Sequence, residues 1–397
     1  DRYTYDNPKE RRVLLDLGHI LQPNWGHKLI GNQYLLVNDS TVEGTVKTQG
    51  WAHFHSMSYR ITFSEPIETV YQYIGGKLRK DSLFLRLNTA EDLKFHYKFA
   101  EKAQPLYVKV ALSVVDPEGA EKNLETELPG WDFDKTREES THIWNEALNL
   151  IQIEADPKVM VNFYTAQYHT KLTPNLMSDV NGEYRRHDQR IARMPQGGAY
   201  YSTFSLWDTF RAWNPLQTLV DTTLVNDMIR SMLDMYDITG ELPIWPLASG
   251  ETGTMIGYHA ASVIADAYLK GIRGYDAEKA LDAMIRSSNI NKKGSDYYVA
   301  QGFIPSNIKR ESVSCTLEYA YDDWAISRMA GAMGRDDVAR EYAQRALNYA
   351  NVFDGSTCFF RGRGTDGNWS EPFEEFATGR DYTAVSYTHL TLPTTSR

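Results

Sequence analysis

Along the first third of the chain, apolar residues alternate with polar ones or run for four to eight residues between Gly, Asn, Asp and Pro. The segments at 12–17, 33–37, 58–63 and 107–114 carry this pattern, which predicts strands and, taken together up to about residue 128, an antiparallel β-sandwich. Leu128-Pro129-Gly130 then interrupts the pattern, and Asp134 stands where it can cap a following helix. From there the apolar period lengthens toward 3.6. Helices are predicted near 135–150, 157–171, 206–220, 223–237, 256–271, 276–288, 317–332 and 336–352, with Gly240, Gly271 and Gly334 at helix ends. After residue 206 they come as pairs, with first members starting near 206, 256 and 317, the signature of a helical-hairpin array. The array is either an (α/α) toroid or a solenoid, so the fold class expected is α+β multidomain: a sandwich over 1–130, then a helical domain from 131.

Composition narrows the class of ligand. A net charge of −10 without a basic stripe disfavours nucleic acid and anionic membrane surfaces. No run of 18 apolar residues exists, which argues against a membrane-spanning helix. Cys315 and Cys358 permit one disulfide and no thiolate metal site. The 25 Tyr and 9 Trp suit sugar stacking and core packing alike. His53 and His55, two apart on an expected strand, make a weak zinc pair for want of a third ligand.

The residues with chemical character gather where helices begin. Trp207, Asp208 and Arg211 can share one face of a helix, offering an aromatic plate, a carboxylate and a forked donor to a sugar ring. The competing reading is an intrahelical Asp208–Arg211 pair with Trp207 in the core. Glu251 either faces a ligand or caps the helix that follows it. His259 enters a helix of small residues, a setting more typical of a core histidine than of a ligand. Glu318 and Asp322 are acidic neighbours at i,i+4, so they repel unless a cation, sugar hydroxyls or an arginine lies opposite, while Asp323 faces elsewhere. If the helices close a ring, these three starts meet at one end.

The blocks Phe204–Ala212 (FSLWDTFRA), Met255–Ala260 (MIGYHA), Thr316–Trp324 (TLEYAYDDW) and Phe376–Tyr382 (FATGRDY) resemble glycoside hydrolase family 92, the bacterial exo-acting α-mannosidases. The resemblance runs in unbroken order from about residue 5 to 383. It implies an N-terminal β-sandwich followed by an incomplete (α/α)6 toroid over 131–384, and a calcium-dependent, inverting hydrolysis of terminal α-linked mannose on N-glycans or mannans, in a periplasmic or cell-surface setting. Calcium would bind hydroxyls of the mannose, with protein ligands not located. Trp207, Asp208 and Arg211 would line the mannose subsite, joined by Glu251, His259 and Asp322. The family motif continues into a Glu that serves as general acid; here position 384 is Ala. Residues 385–397 show no family pattern and resemble a translated sequencing adapter. The general base, expected further on, would be missing too, so the chain is expected to be a fragment, catalytically inactive and poorly soluble. The rival expectations are a carbohydrate-binding toroid without chemistry and a glycoside phosphorylase.

Overall fold

The structure, a computed structural model, describes residues 1–79, 85–194 and 197–374. By its contacts the chain forms two compact units, Asp1–Thr203 with Pro246–Thr252, and Phe204–Trp245 with Gly253–Arg397.

The first unit is built on ten antiparallel strands: β1 (Arg2–Tyr3), β2 (Arg12–Asp16), β3 (Lys28–Asn38), β4 (Thr41–Gln49), β5 (His55–Phe63), β6 (Ile67–Ile74), β7 (Lys77–Arg79), β8 (Arg86–Thr89), β9 (Leu93–Phe99) and β10 (Leu106–Ser113). They form a six-stranded sheet in the order β1-β10-β5-β4-β3-β8 and a four-stranded sheet in the order β2-β9-β6-β7. Strand β9 shows why two sheets must face each other. Leu93, Phe95, Tyr97 and Phe99 fall at every second position and all are buried. Tyr34 of the larger sheet stacks on Phe95 at 3.8 Å, and Phe63 packs against Tyr97 and Phe99. Each buried aromatic contributes roughly 1.5–3 kcal/mol, so this strand is the spine of the sandwich.

The sandwich ends earlier than its sequence suggested. Helix α1 (Pro117–Glu127) lies inside the stretch read as strands: Asp116 accepts from the Gly119 amide at 2.8 Å, and Pro117 occupies the first turn. Leu128-Pro129-Gly130 therefore separates two helices. The next, α2 (Phe133–Leu148), is capped by Asp132 and not by Asp134, because it is Asp132 that accepts from the Lys135 amide at 2.9 Å. Helix α3 (Pro157–Thr170) follows as expected. By contacts α2 and α3 belong to the first unit, so the division falls at 203/204, whereas the period changes near 130. Two short hairpins, pairing 175–176 with 201–202 and 183–185 with 191–193, complete this unit.

The second unit is helical: α4 (Leu206–Thr209), α5 (Trp213–Val220), α6 (Thr222–Thr239), α7 (Ala260–Leu269), α8 (Ala277–Ser288), α9 (Ser295–Gln301), α10 (Ser312–Ala332) and α11 (Asp336–Arg345), the last continuing as a 3-10 turn over Ala346–Val352. The helix expected over 206–220 is broken. Pro215 has no amide to donate, and its ring would clash with the Arg211 carbonyl in a continuous helix, so α4 stops and α5 restarts at Trp213. The helix expected from 256 begins at Ala260, since Met255 and Gly257 have φ of 70° and 81°. Helix α9 was not anticipated. Helix α10 is buried on nearly all sides and packs against α7, α8 and α11, so its polar residues are forced to find partners inside the unit.

Candidate active site

The second unit brings four of the six anticipated residues, Trp207, Arg211, His259 and Asp322, around one carboxylate, that of Glu318. Its Oε1 accepts from Trp207 Nε1 and from an Arg211 guanidinium nitrogen, each at 3.0 Å. Its Oε2 lies 3.1 Å from His259 Nε2, off the line of an ideal hydrogen bond. On the far side of the same ring, His259 Nδ1 meets Asp322 Oδ1 at 2.8 Å. Asp322 also accepts from the Ser262 hydroxyl at 2.6 Å and from the Tyr258 amide at 2.8 Å. The i,i+4 repulsion between Glu318 and Asp322 is thus relieved by an imidazole placed between them and by Arg211 opposite.

Exposure divides these residues into two tiers. His259 is 1% exposed and Asp322 fully buried. Above them Arg211 keeps 42% of its side chain exposed, with Trp207 half-buried. The guanidinium lies over both the Trp207 and Phe210 rings, 4.8 and 4.5 Å from their centroids, and Phe210 stacks flat on His259 at 4.0 Å. Asp208 is exposed beside them and does not pair with Arg211 in the way the competing reading required. It accepts from the Ser205 hydroxyl, which itself accepts from Trp245 Nε1 at 2.8 Å. The indole of Trp245 therefore orients Ser205, and Ser205 orients Asp208.

Glu251 does not cap the helix that follows it. It sits on a short hairpin, paired with Pro246, nine residues before α7. It belongs to the first compact unit. Asp323 does face elsewhere: it accepts from the Tyr258 and Tyr298 hydroxyls at 2.7 and 2.8 Å and from Arg345 Nε at 3.0 Å. Tyr258 thereby links the two acids, giving its amide to Asp322 and its hydroxyl to Asp323. Ser205, Phe210 and Trp245 are structural partners of the site that the sequence did not single out for a role. Ser205 and Phe210 lie inside the block Phe204–Ala212, and Trp245 in the loop that precedes α7.

Electrostatics follow from this packing. Burial alone would push the His259 imidazole down, but Asp322, with Glu318 on the other side, raises it from its ordinary 6.5 to about 9. Asp323 holds the buried Arg345 guanidinium firmly charged, above its ordinary range. Cys315 is buried and its thiol is pushed up to about 12 by desolvation, while Cys358 is exposed; both are free, so the one disulfide allowed by composition does not form. Among the described residues no three His, Cys, Asp or Glu side chains converge as a metal site, and this includes His53 and His55. No helix of the described residues is long and apolar enough to cross a membrane. The Phe376–Tyr382 block, Ala384 and the 385–397 tail lie outside the described residues.

A fold of antiparallel sheets followed by helices, with an indole, a guanidinium and a carboxylate presented over a buried acid, is compatible with a carbohydrate-processing protein, and it is the likeness to known proteins that assigns the family. The sequence model of the glycosyl hydrolase family 92 catalytic domain matches residues 119–392, extending past Ala384, where the motif correspondence stopped. The chain belongs to glycosyl hydrolase family 92. It is similar to the family GH92 α-mannosidase BT3965 of Bacteroides thetaiotaomicron, solved in complex with mannoimidazole, at 32% identity and a TM-score of 0.92, covering 98% of this chain and 52% of that one. The GH92 inverting mannosidase BT2199 of the same organism matches at 27% identity and a TM-score of 0.85, covering 95% of this chain and 51% of that one. A secreted glycosidase of Arthroderma benhamiae, otherwise uncharacterised, is 26% identical over 280 residues, 65% of this chain and 32% of its own length. The chain thus spans about half the length of the solved relatives.

Proposed function

We propose that this chain supplies the mannose-holding part of an exo-acting, inverting α-mannosidase that removes terminal α-linked mannose from N-glycans or mannans, its helical part forming a portion of an (α/α)6 toroid. The observation that carries the reading is the exposed rim of Trp207, Asp208 and Arg211, held from below by buried Glu318, in a chain 32% identical to an α-mannosidase. An indole face suits the apolar face of a pyranose, and a guanidinium and a carboxylate together bind adjacent hydroxyls as donor and acceptor. Asp208 and Arg211 contact the sugar, while His259 and Asp322, being buried, act through Glu318. Similarity to a secreted glycosidase supports an extracellular or periplasmic setting.

Inversion requires a general acid at the departing oxygen and a base that activates water on the opposite face. Position 384, where the family motif carries the acid, is Ala. The 397-residue chain on its own therefore binds mannose and does not turn over. Calcium dependence is part of the same proposal, but the described residues do not assemble a metal site, so no step is assigned to the ion.

Isothermal titration of the chain with mannoimidazole, with and without a calcium chelator, tests the binding half; Asp208→Asn and Trp207→Phe should each weaken it about tenfold or more. Release of mannose from an α-linked mannobiose, whose sugar leaving group needs protonation, by the purified chain would refute the inactivity. Undetectable binding by the wild type would refute the subsite.

A further inference from the structure

The two nitrogens of His259 pose a question of proton count that the fold answers. Asp322 accepts from Ser262 and the Tyr258 amide, and Glu318 accepts from Trp207 and Arg211, so both acids behave as ionised acceptors with nothing to donate. One ring nitrogen faces the first at 2.8 Å and the other faces the second at 3.1 Å. A neutral imidazole has one N–H; its bare nitrogen would set a lone pair against a carboxylate oxygen in a site that water does not reach. A doubly protonated ring sets an N–H against Asp322 and a positive edge against Glu318 Oε2. The charge count of the buried cluster agrees: Glu318, Asp322 and Asp323 are matched by Arg211, Arg345 and a third cation, and His259 is the group in position to be it.

We infer that His259 is a resident imidazolium and a positioning residue, clamping Glu318 from below so that the opposite oxygen of that carboxylate holds the Trp207 indole and the Arg211 guanidinium in place for the sugar. The inference rests on the reading of that rim as a mannose subsite. The chain of contacts is continuous: Asp322, fixed by Ser262 and Tyr258, orients the ring; the ring fixes Glu318 Oε2; Glu318 Oε1 fixes two rim side chains in two directions. Phe210 closes one face of the ring, and the Arg211 guanidinium also lies over Phe210. The groups facing the ring are Glu318 and Asp322 from α10 and Ser262 from α7, with Arg211 beyond Glu318, Tyr321 packed on Phe210, and the Tyr258 hydroxyl turned away to Asp323. Among the described residues none donates a hydrogen bond to either ring nitrogen. The shifted imidazole described above is the electrostatic consequence of the same geometry.

The inference is tested on the 397-residue chain labelled with 15N-histidine and 5-fluorotryptophan, the His259 and Trp207 resonances being those lost in His259→Gln and Trp207→Phe. At pH 7.5 both ring nitrogens of His259 should carry protons. On raising the pH, the Trp207 fluorine resonance should move with the deprotonation of His259, and that movement should be absent from His259→Gln. Glu318→Gln should lower the midpoint by about one pH unit or more, a readout that a purely structural histidine would not give. One protonated nitrogen at pH 7.5, or a Trp207 resonance indifferent to the His259 titration, overturns the inference. If His259→Gln does not fold, His259 is identified as the histidine whose titration shifts in Glu318→Gln, and its proton count in the wild type still decides the inference. Mannoimidazole added to the same samples separates the two readings: coupling without sugar binding removes the mannose subsite and keeps the clamp, whereas sugar binding without coupling removes the clamp.

Discussion

Replacing Asp323 with alanine attacks the support beneath the site and not the rim itself. The carboxylate is fully buried and accepts three hydrogen bonds, from Tyr258, Tyr298 and Arg345, whose side chain is only 12% exposed. Removing it takes away the charge partner of Arg345 and leaves the two phenols only their longer contacts, at 3.1 Å, to the Tyr319 and Arg345 carbonyls. Breaking a buried pair from one side costs roughly 3–5 kcal/mol, because the surviving charge has no partner. For a unit of this size each kcal/mol corresponds to roughly 2–4 °C, so the helical unit should melt about 6–20 °C lower. Arg345→Met should also destabilise. The double variant should cost at least about 2 kcal/mol less than the two single variants together, since it leaves no orphaned charge. Thermal and urea unfolding followed by circular dichroism on the four proteins measures this. An Asp323→Ala protein within about 1 kcal/mol of the wild type, or strict additivity of the two changes, refutes the role given to this pair.

Three further outcomes are expected. Gly257 has φ of 81°, and a Cβ there would stand 2.4 Å from His259 Nε2, so Gly257→Ala should displace the imidazole and abolish mannoimidazole binding in titration calorimetry. His259 has a folded-state value raised to about 9 from 6.5, so its stabilisation, on the order of 3 kcal/mol, is complete below about pH 6.5 and is lost as pH rises through 9; urea midpoints should fall over that window for the wild type and much less for His259→Gln. Helices α2 and α3 pack on each other through Trp144 and Tyr168 yet leave Ile143 and Val161 63% and 65% exposed, so Ile143→Lys with Val161→Lys should reduce self-association in light scattering; an unchanged mass distribution would show that this face is not the adhesive one.

The sequence by itself determined the change from period two to period 3.6, the strand segments that became β2, β3, β5 and β10, and the helix starts where polar and aromatic residues collect. Those are local properties: each is written in a few consecutive residues. It also posed the Glu318–Asp322 conflict, because like charges four apart on a helix require a counter-ion, though it could not say which one. Elements governed by caps and by single residues were harder to read. Helix α1 was hidden by its charged composition despite the Asp116-Pro117 start, and the break before α5 depended on one proline.

Only the tertiary structure decided that the counter-ion is His259, 59 residues before Glu318 in the chain, and that it touches both acids at once. The same holds for Tyr258, which ties Asp322 to Asp323, and for Trp245, which reaches Asp208 through Ser205. These contacts join helix starts that are distant in sequence, and which of a buried acid's neighbours satisfies it depends on packing that no local pattern encodes. The rim residues could be named from their spacing. What holds them in position could not, because the support is a set of long-range hydrogen bonds made only once α10 is enclosed by α7, α8 and α11.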